Sequence, residues 1–354
     1  MYQTRIRVYS QPVPEIVIAG VRVSGESREV IRVPVTHDVT GPVDIVTHVV
    51  AGRHDGPTLL LLSMLHGNEW FSALILRELV RRLDPATLRG NVLAVPVANA
   101  PAMLTRTRCV QDDSDEPDAN RTFGGPYQWL TNQISRAIAD ELISRSNAVI
   151  DYHVGDWGAT MADVSYVSDF TQPGVSAASR SMALAYGFPV VHSLTIHSGL
   201  RGPRTSLGFA GERYGVPGIV AELGGLGFGE AQEARWLEEN VAGTLGVMRH
   251  LGMLDGAPPR LERYLEVHDY WRVGPRAGGY LEPVVGLDRQ FTDVQPNELL
   301  ARVIDPRTFE TVDDVRSPGR GTIFYACRAH MVRPGGWAFG VANREDGRTR
   351  WVTA

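Results

Sequence analysis

The sequence predicts an α/β fold, built on a mostly parallel mixed sheet with helices on both faces and followed by a small C-terminal β-rich domain. Three observations predict it. Apolar runs suited to buried strands alternate with amphipathic stretches from about residue 58 to residue 251. Beyond "DGAPPRLE" the helical period gives way to short strands separated by Gly/Pro turns. The chain has 354 residues and is 43% hydrophobic, enough to bury a full α/β core with a smaller unit beside it.

Taken in order, residues 1–50 read as a strand-rich entry packed on the catalytic domain. Its β-branched runs "EIVIAGVRV", "VIRVPV" and "VDIVTHVVAG" are broken by Gly, Pro and Asp. Residues 51–257 read as the catalytic domain. Thr58 to Leu65 is a buried strand, and Glu69 to Leu83 carries Trp70, Leu74, Leu79 and Leu83 at helical spacing. "NVLAVPV" is the next strand, and Pro126 opens a helix with Leu130, Ile134, Ile138 and Leu142 on one face. Strands follow at "NAVIDYH", "ADVSYVS", "FPVVHSLTI" and "VPGIVAEL", with helical stretches near Val175 to Tyr186 and Thr205 to Tyr214. A helix from Glu230 to Leu251 closes the set. Residues 258–354 are the C-terminal β domain.

Composition removes several function classes. A net charge of −5 argues against a nucleic-acid partner, which requires a basic surface. No run reaches the eighteen or so apolar residues of a membrane helix, and the start "MYQTRIRVYSQPVPE" lacks a secretory h-region, so the expectation is a cytoplasmic protein with no membrane partner. Cys109 and Cys327 are too few for a disulfide framework or a Cys-based zinc site. The chain contains no lysine: all 35 basic side chains are arginine. Schiff-base, pyridoxal and P-loop chemistry each need a lysine amine, and all three are excluded.

The chemistry gathers where "LLLLSMLHGNEWFSALILRELVRRL" turns from buried strand to helix. His66 and Glu69 lie three apart at that junction, the carboxyl end of a strand, where open α/β sheets place their ligands. A His-x-x-Glu pair arises readily by chance, so its position carries the argument. Gly67 would permit a tight backbone that aims both heads at one point. A catalytic zinc site usually takes three protein ligands and keeps a place for water. His153, closing "VIDYH" at another strand end, is the candidate third ligand. Asp151, two residues before it, either supports it as an acceptor or contacts a helix. Glu222 ends the apolar run "VPGIVAEL", where a charge needs a reason.

His66-Gly-x-Glu69 after a strand, "DANR" (Asp118 to Arg121), "DYH" ending in His153 and "AELGG" around Glu222 occur in one order. That order resembles the succinylglutamate desuccinylase/aspartoacylase family, of zinc carboxypeptidase-like fold, over nearly the whole chain. The resemblance implies one zinc ion held by His66, Glu69 and His153, with Glu222 as general base and acid. It also implies that Asn120 and Arg121 bind the substrate or polarise its carbonyl, and a planar guanidinium suits a carboxylate bidentately. A second family arginine falls on Arg108 or Arg106, because "CVQDDSDEPD" is lengthened here.

Two departures from the family pattern bear on specificity. "NRTFGG" replaces the usual "NRxFPG", and "DYHVGDWG" puts Val154, Asp156 and Trp157 beside His153. Arg201 and Arg204 are loop arginines that either face the pocket or lie on the surface. The C-terminal domain resembles the barrel-sandwich modules that carry biotin or lipoate. With no lysine to attach them, it either walls the active site or builds a homo-oligomer interface.

The expected function is a zinc-dependent amidohydrolase that removes the acyl group of a small anionic N-acyl amino acid or related amide. Within the family, members that deacetylate acetyl-diaminobutyrate resemble this two-domain layout more than the aspartoacylases do. A metallocarboxypeptidase or peptide amidase on the same zinc site is one alternative. A non-catalytic, zinc-stabilised binding protein is another.

Overall fold

The protein is described by a computed structural model covering residues 15–110, 118–126, 129–155, 158–197, 202–328 and 330–353. β1 (Glu15–Ile18) and β2 (Val21–Ser24) form a hairpin that turns through Ala19 and Gly20, both at positive φ (47° and 78°). β3 (Ser27–Asp38) and β4 (Gly41–Ala51) make a long antiparallel ribbon. There follow β5 (His54–Ser63), α1 (Phe71–Arg82), β6 (Arg89–Val95), α2 (Ala100–Thr105), α3 (Leu130–Glu141), β7 (Ala148–His153) and β8 (Ala159–Val167). This alternating part of the chain closes with α4 (Val175–Tyr186), β9 (Val190–Leu194), α5 (Ser206–Phe209), β10 (Gly218–Gly224) and α6 (Glu230–His250).

In space the strands run β3-β4-β6-β5-β7-β10-β8-β9. The centre is parallel: β5 pairs with β6 and β7, and β7 with β10. β8 enters antiparallel to β10 and parallel to β9. The physical cause is legible in β5, where Leu59 to Leu62 are all fully buried. Leu59 and Leu61 join a core layer with Ile75 and Leu79 of α1, Met182 of α4 and Val241 and Val247 of α6. Leu60 and Leu62 join the opposite layer, with Ile134 and Ile138 of α3 and Ile16 and Ile18 of the hairpin. Two-residue alternation sends neighbours to opposite faces, so helices on both faces require a continuous apolar run. Each such leucine contributes about 1.5–3 kcal/mol by burial.

Several element bounds differ from the sequence reading, and three helices shorten by two residues or more. α1 begins at Phe71, leaving Glu69 in the preceding turn. α3 begins at Leu130 after an extended Trp129 (φ −113°, ψ 155°), four residues beyond Pro126. The stretch from Thr205 holds only the single turn α5 and then a π turn, Ala210–Tyr214. Gly208 and Gly211 weaken it, and glycine is poor in helix interiors.

β11 (Arg263–Val267) continues the central sheet, parallel to β9 and antiparallel to β20 (Arg350–Thr353). Between them lie β12 (Tyr270–Val273), β13 (Gly279–Pro283), β14 (Asp293–Val294), β15 (Leu299–Ile304), β16 (Thr311–Arg316), β17 (Gly321–Cys327), β18 (His330–Val332) and β19 (Phe339–Asn343). β12, β19, β17 and β14 form an antiparallel set that joins β8 through Ala326–Thr160 and Cys327–Ala159. β16, β15, β13 and β18 form a second antiparallel sheet. The junction at β8 sets the C-terminal aromatic residues beside the strand ends of the central sheet. Among the described residues no helix is long and apolar enough to cross a membrane.

Candidate metal centre and active-site cleft

His66 follows β5 by three residues, and the chain reverses through Met64, a non-glycine residue at φ 54°. Gly67 is not at positive φ. Its requirement is space, because a Cβ there would lie 2.1 Å from the backbone of Ala102 in α2. Asn99 caps α2 by accepting from the Ala102 N–H and donates its amide to the Leu65 carbonyl. Backbone contact and cap together fix the loop that carries His66 and Glu69.

His66, Glu69 and His153 are buried and present one ligand atom each within 4.8 Å of one another. Glu69 Oε1 is 2.8 Å from His66 Nδ1, and Glu69 Oε2 is 2.8 Å from His153 Nδ1. The two Nδ1 atoms are 3.1 Å apart. Behind the rings, His66 Nε2 faces Asp118 Oδ1 at 3.1 Å and His153 Nε2 faces Asp151 Oδ2 at 3.2 Å. Each imidazole thus has a carboxylate at both nitrogens, and with a cation held at the inner atoms an Nε2 proton shared with Asp118 or Asp151 would leave the Nδ1 lone pair facing it.

In the bare cluster the electrostatics set positive charge on His153 against the surrounding carboxylates. Burial opposes the charged form of His153, but the Asp151 and Glu69 carboxylates outweigh it and push the group up to about 10. Burial likewise works against the Glu69 carboxylate, yet His66 and His153 hold it well below its usual range. Asp118 is depressed against its burial by His66, Arg108 and Arg121. Two ring nitrogens and a carboxylate packed this closely form a site where a cation would replace those protons, and two imidazoles with one carboxylate are a donor set that fits zinc.

Asp151 is fully buried and accepts from the Ser206 hydroxyl. The Ser206 N–H donates to Asn120 Oδ1 at 2.8 Å, leaving Asn120 Nδ2 3.1 Å from His153 Nε2. Glu222 stands opposite His153 in the parallel register of β10 on β7, so both heads leave the same face of the sheet. Gly224 follows it at φ 96°, and a Cβ on Gly225 would meet the Ala159 carbonyl oxygen at 2.0 Å.

A cleft of about 490 Å³ opens over these groups and is lined by His66, Glu69, His153, Glu222, Asn120, Arg121 and Arg108. Arg108 lies 3.2 Å from Asp118 and 3.5 Å from Glu69. Arg106 instead ends α2 in a left-handed conformation and is not among the lining residues. Arg121 donates to the Asn120 carbonyl at 2.6 Å. Val154 and Gly155 line the cleft, whereas Asp156, Trp157 and Arg201 lie outside the described residues. The C-terminal strands add Tyr270, Arg272, Phe324 and Tyr325, with Trp337 stacked on Tyr325 at 4.2 Å.

The sequence reading passed over three residues of this assembly. Ser206 sits in a Thr-Ser-Leu-Gly turn with nothing to mark it. Asp163 and His192 are polar positions inside the apolar runs "ADVSYVS" and "VVHSLTI", and that was the available signal.

The fold and the cleft together define an α/β scaffold with a candidate His-Glu-His metal centre at its strand ends. The chain belongs to the succinylglutamate desuccinylase/aspartoacylase family, whose catalytic-domain model matches residues 55–251. An N-alpha-acetyl-L-2,4-diaminobutyric acid deacetylase from Halomonas elongata is 26% identical over 302 residues, covering 83% of this chain and 84% of that protein. A product-bound structure of the ectoine utilization protein EutE (DoeB) from Ruegeria pomeroyi superposes with a TM-score of 0.77 at 22% identity, covering 94% of this chain and 99% of the other. A succinylglutamate desuccinylase/aspartoacylase from Rhodobacter sphaeroides gives 0.72 at 22% identity, covering 89% and 94%.

Proposed function

We propose that this protein is a zinc-dependent amidohydrolase that removes the acyl group from small N-acyl amino acids. The observation that carries the reading is the inward-facing His66, Glu69 and His153 cluster with Glu222 opposite His153 on the neighbouring strand. His66, Glu69 and His153 would hold the ion. Bound there, zinc supplies a Lewis acid for the amide carbonyl and brings the pKa of water down to about 7.

The remaining chemistry belongs to the chain. Glu222 accepts a proton from the attacking water as its oxygen bonds to the carbonyl carbon. It then passes that proton to the nitrogen as the C–N bond breaks, giving a free acid and a free amine. Asp118 and Asp151 hold the two imidazoles in the tautomer that faces the cluster. Arg121 and Arg108, which line the cleft with Asn120, hold the carboxylate of the leaving amino acid. The named relative from Halomonas elongata, a deacetylase of an acylated diamino acid, supports this class.

Charge-assisted hydrogen bonds contribute about 1.5–3 kcal/mol each, so Arg121→Ala is expected to lower kcat/KM by roughly ten- to a hundredfold. Amidating the substrate carboxylate should cost the wild type a similar factor and the variant much less. Substrate length separates this reading from a carboxypeptidase. Kinetics on single N-acyl amino acids and acylated tripeptides should favour the single residues. Efficient release of C-terminal residues from the tripeptides would overturn the deacylase reading in favour of a peptidase on the same site.

A further inference from the structure

Four ionisable side chains stand in a row across four adjacent strands. His153 on β7 pairs with Glu222 on β10, and Glu222 pairs with Asp163 on β8. His192 on β9 stands opposite Ser165, two residues along β8 from Asp163. All four line the cleft. The first two belong to the site described above; the last two form a second polar group at its far end.

His192 is 4% exposed, and its Nδ1 faces Asp163 Oδ2 at 3.4 Å. Its Nε2 is buried without a hydrogen-bond partner. Tyr270 and Phe324 close over the ring nearly at right angles, with centroids at 5.2 and 6.2 Å. Asp163 is the acceptor that Nδ1–H faces, and in that tautomer the unpartnered Nε2 offers a lone pair to a ligand that brings an N–H or O–H.

Position decides which part of a ligand that is. Strands lie about 4.8 Å apart, so β9 is about 14 Å from β7 across the sheet. That is too far for His192 to touch an amide at the metal cluster. Arg108, 3.5 Å from Glu69 and 3.2 Å from the Asp118 that faces His66, lies toward the β5 end of the cluster, away from β9. A substrate whose carboxylate is held there, with its carbonyl between the cluster and Glu222, directs its acyl group toward Asp163 and His192. An acetyl methyl ends one bond beyond the carbonyl and falls well short.

We infer that His192, held by Asp163 and roofed by Tyr270 and Phe324, is a specificity residue for an acyl group longer than acetyl that ends in a hydrogen-bond donor. The inference rests on the deacylase reading for the direction in which substrate lies. The test uses one amino acid acylated with acetyl, hexanoyl, 5-hydroxypentanoyl, 5-aminopentanoyl or glutaryl groups. Turnover is measured on zinc-loaded wild type and affinity by calorimetry on the Glu222→Gln protein.

The donor-ended acyl groups should exceed hexanoyl and glutaryl by about tenfold or more in both kcat/KM and affinity. The hydroxy- and amino-ended arms then distinguish an O–H from an N–H ligand. His192→Phe should bring the ratio of donor-ended to hexanoyl substrate close to one, and His192→Gln, which restores an acceptor, should recover part of it. Acetyl or hexanoyl as the best acyl group would overturn the inference even if the Phe variant failed to fold. So would a donor preference that followed changes in the amine half. Affinities in the expected order without wild-type turnover would keep the subsite and overturn the hydrolase reading instead.

Discussion

Among single residues Glu222 separates binding from chemistry most sharply. It faces the cleft from the strand beside His153 but is not one of the three clustered groups that could hold a metal. Glu222→Gln keeps shape and removes proton transfer, so metal content and melting temperature should hold while kcat falls by about 10²–10⁴. Stopped or steady-state assays with metal analysis check this, and a loss below threefold would assign the base elsewhere. Ser206 acts one step further back, donating to the buried Asp151 that faces His153. Outer partners of metal ligands typically change affinity by 10–100-fold, so Ser206→Ala should weaken zinc binding by about that factor in a chelator competition. Unchanged affinity would show that Asp151 needs no support. His66, Glu69 and His153 were legible because strand-end positions are visible as apolar runs that stop. Ser206, Asp163 and His192 were not, because their partners come from distant strands and only the folded register brings them together.

At the scale of elements, the turn between β5 and α1 is held by backbone contact as well as by side chains. A Cβ at residue 67 would lie within 2.3 Å of three backbone atoms of Ala102 and Met103, and neither is a flexible side-chain end. Gly67→Ala must therefore displace α2 or the loop carrying His66 and Glu69. Both stability and zinc affinity should fall, the first by a few kcal/mol, as for other overpacked sites. Calorimetric unfolding of the metal-free and loaded forms reads both effects. A variant with wild-type stability would mean that the loop yields freely. Here the sequence named the right glycine for a different reason: it pointed to dihedral freedom, while the reversal falls on Met64. Close approach of two backbones leaves no mark in a single sequence. The parallel centre was far more legible, since Leu59 to Leu62 can be buried on both sides only under helices on both faces.

At the scale of the whole molecule, the C-terminal strands are integral to the cleft. β17 joins β8 through two residue pairs, and β12 and β17 carry Tyr270 and Phe324 over its far end. The sequence showed that half as short strands with turns but not its attachment, because edge pairing between distant segments has no local periodicity. That β11 and β20 extend the central sheet was hidden for the same reason. The account as a whole stands on one ion at the strand ends that enables amide hydrolysis. Its most direct test is to strip the protein with a chelator, return zinc in steps and follow hydrolysis of an N-acyl amino acid. The expected result is near-zero activity in the stripped protein, a linear rise that breaks at one equivalent per chain, and no recovery in the His66→Ala, His153→Ala double variant. Full activity after stripping, or recovery in the double variant, would contradict it.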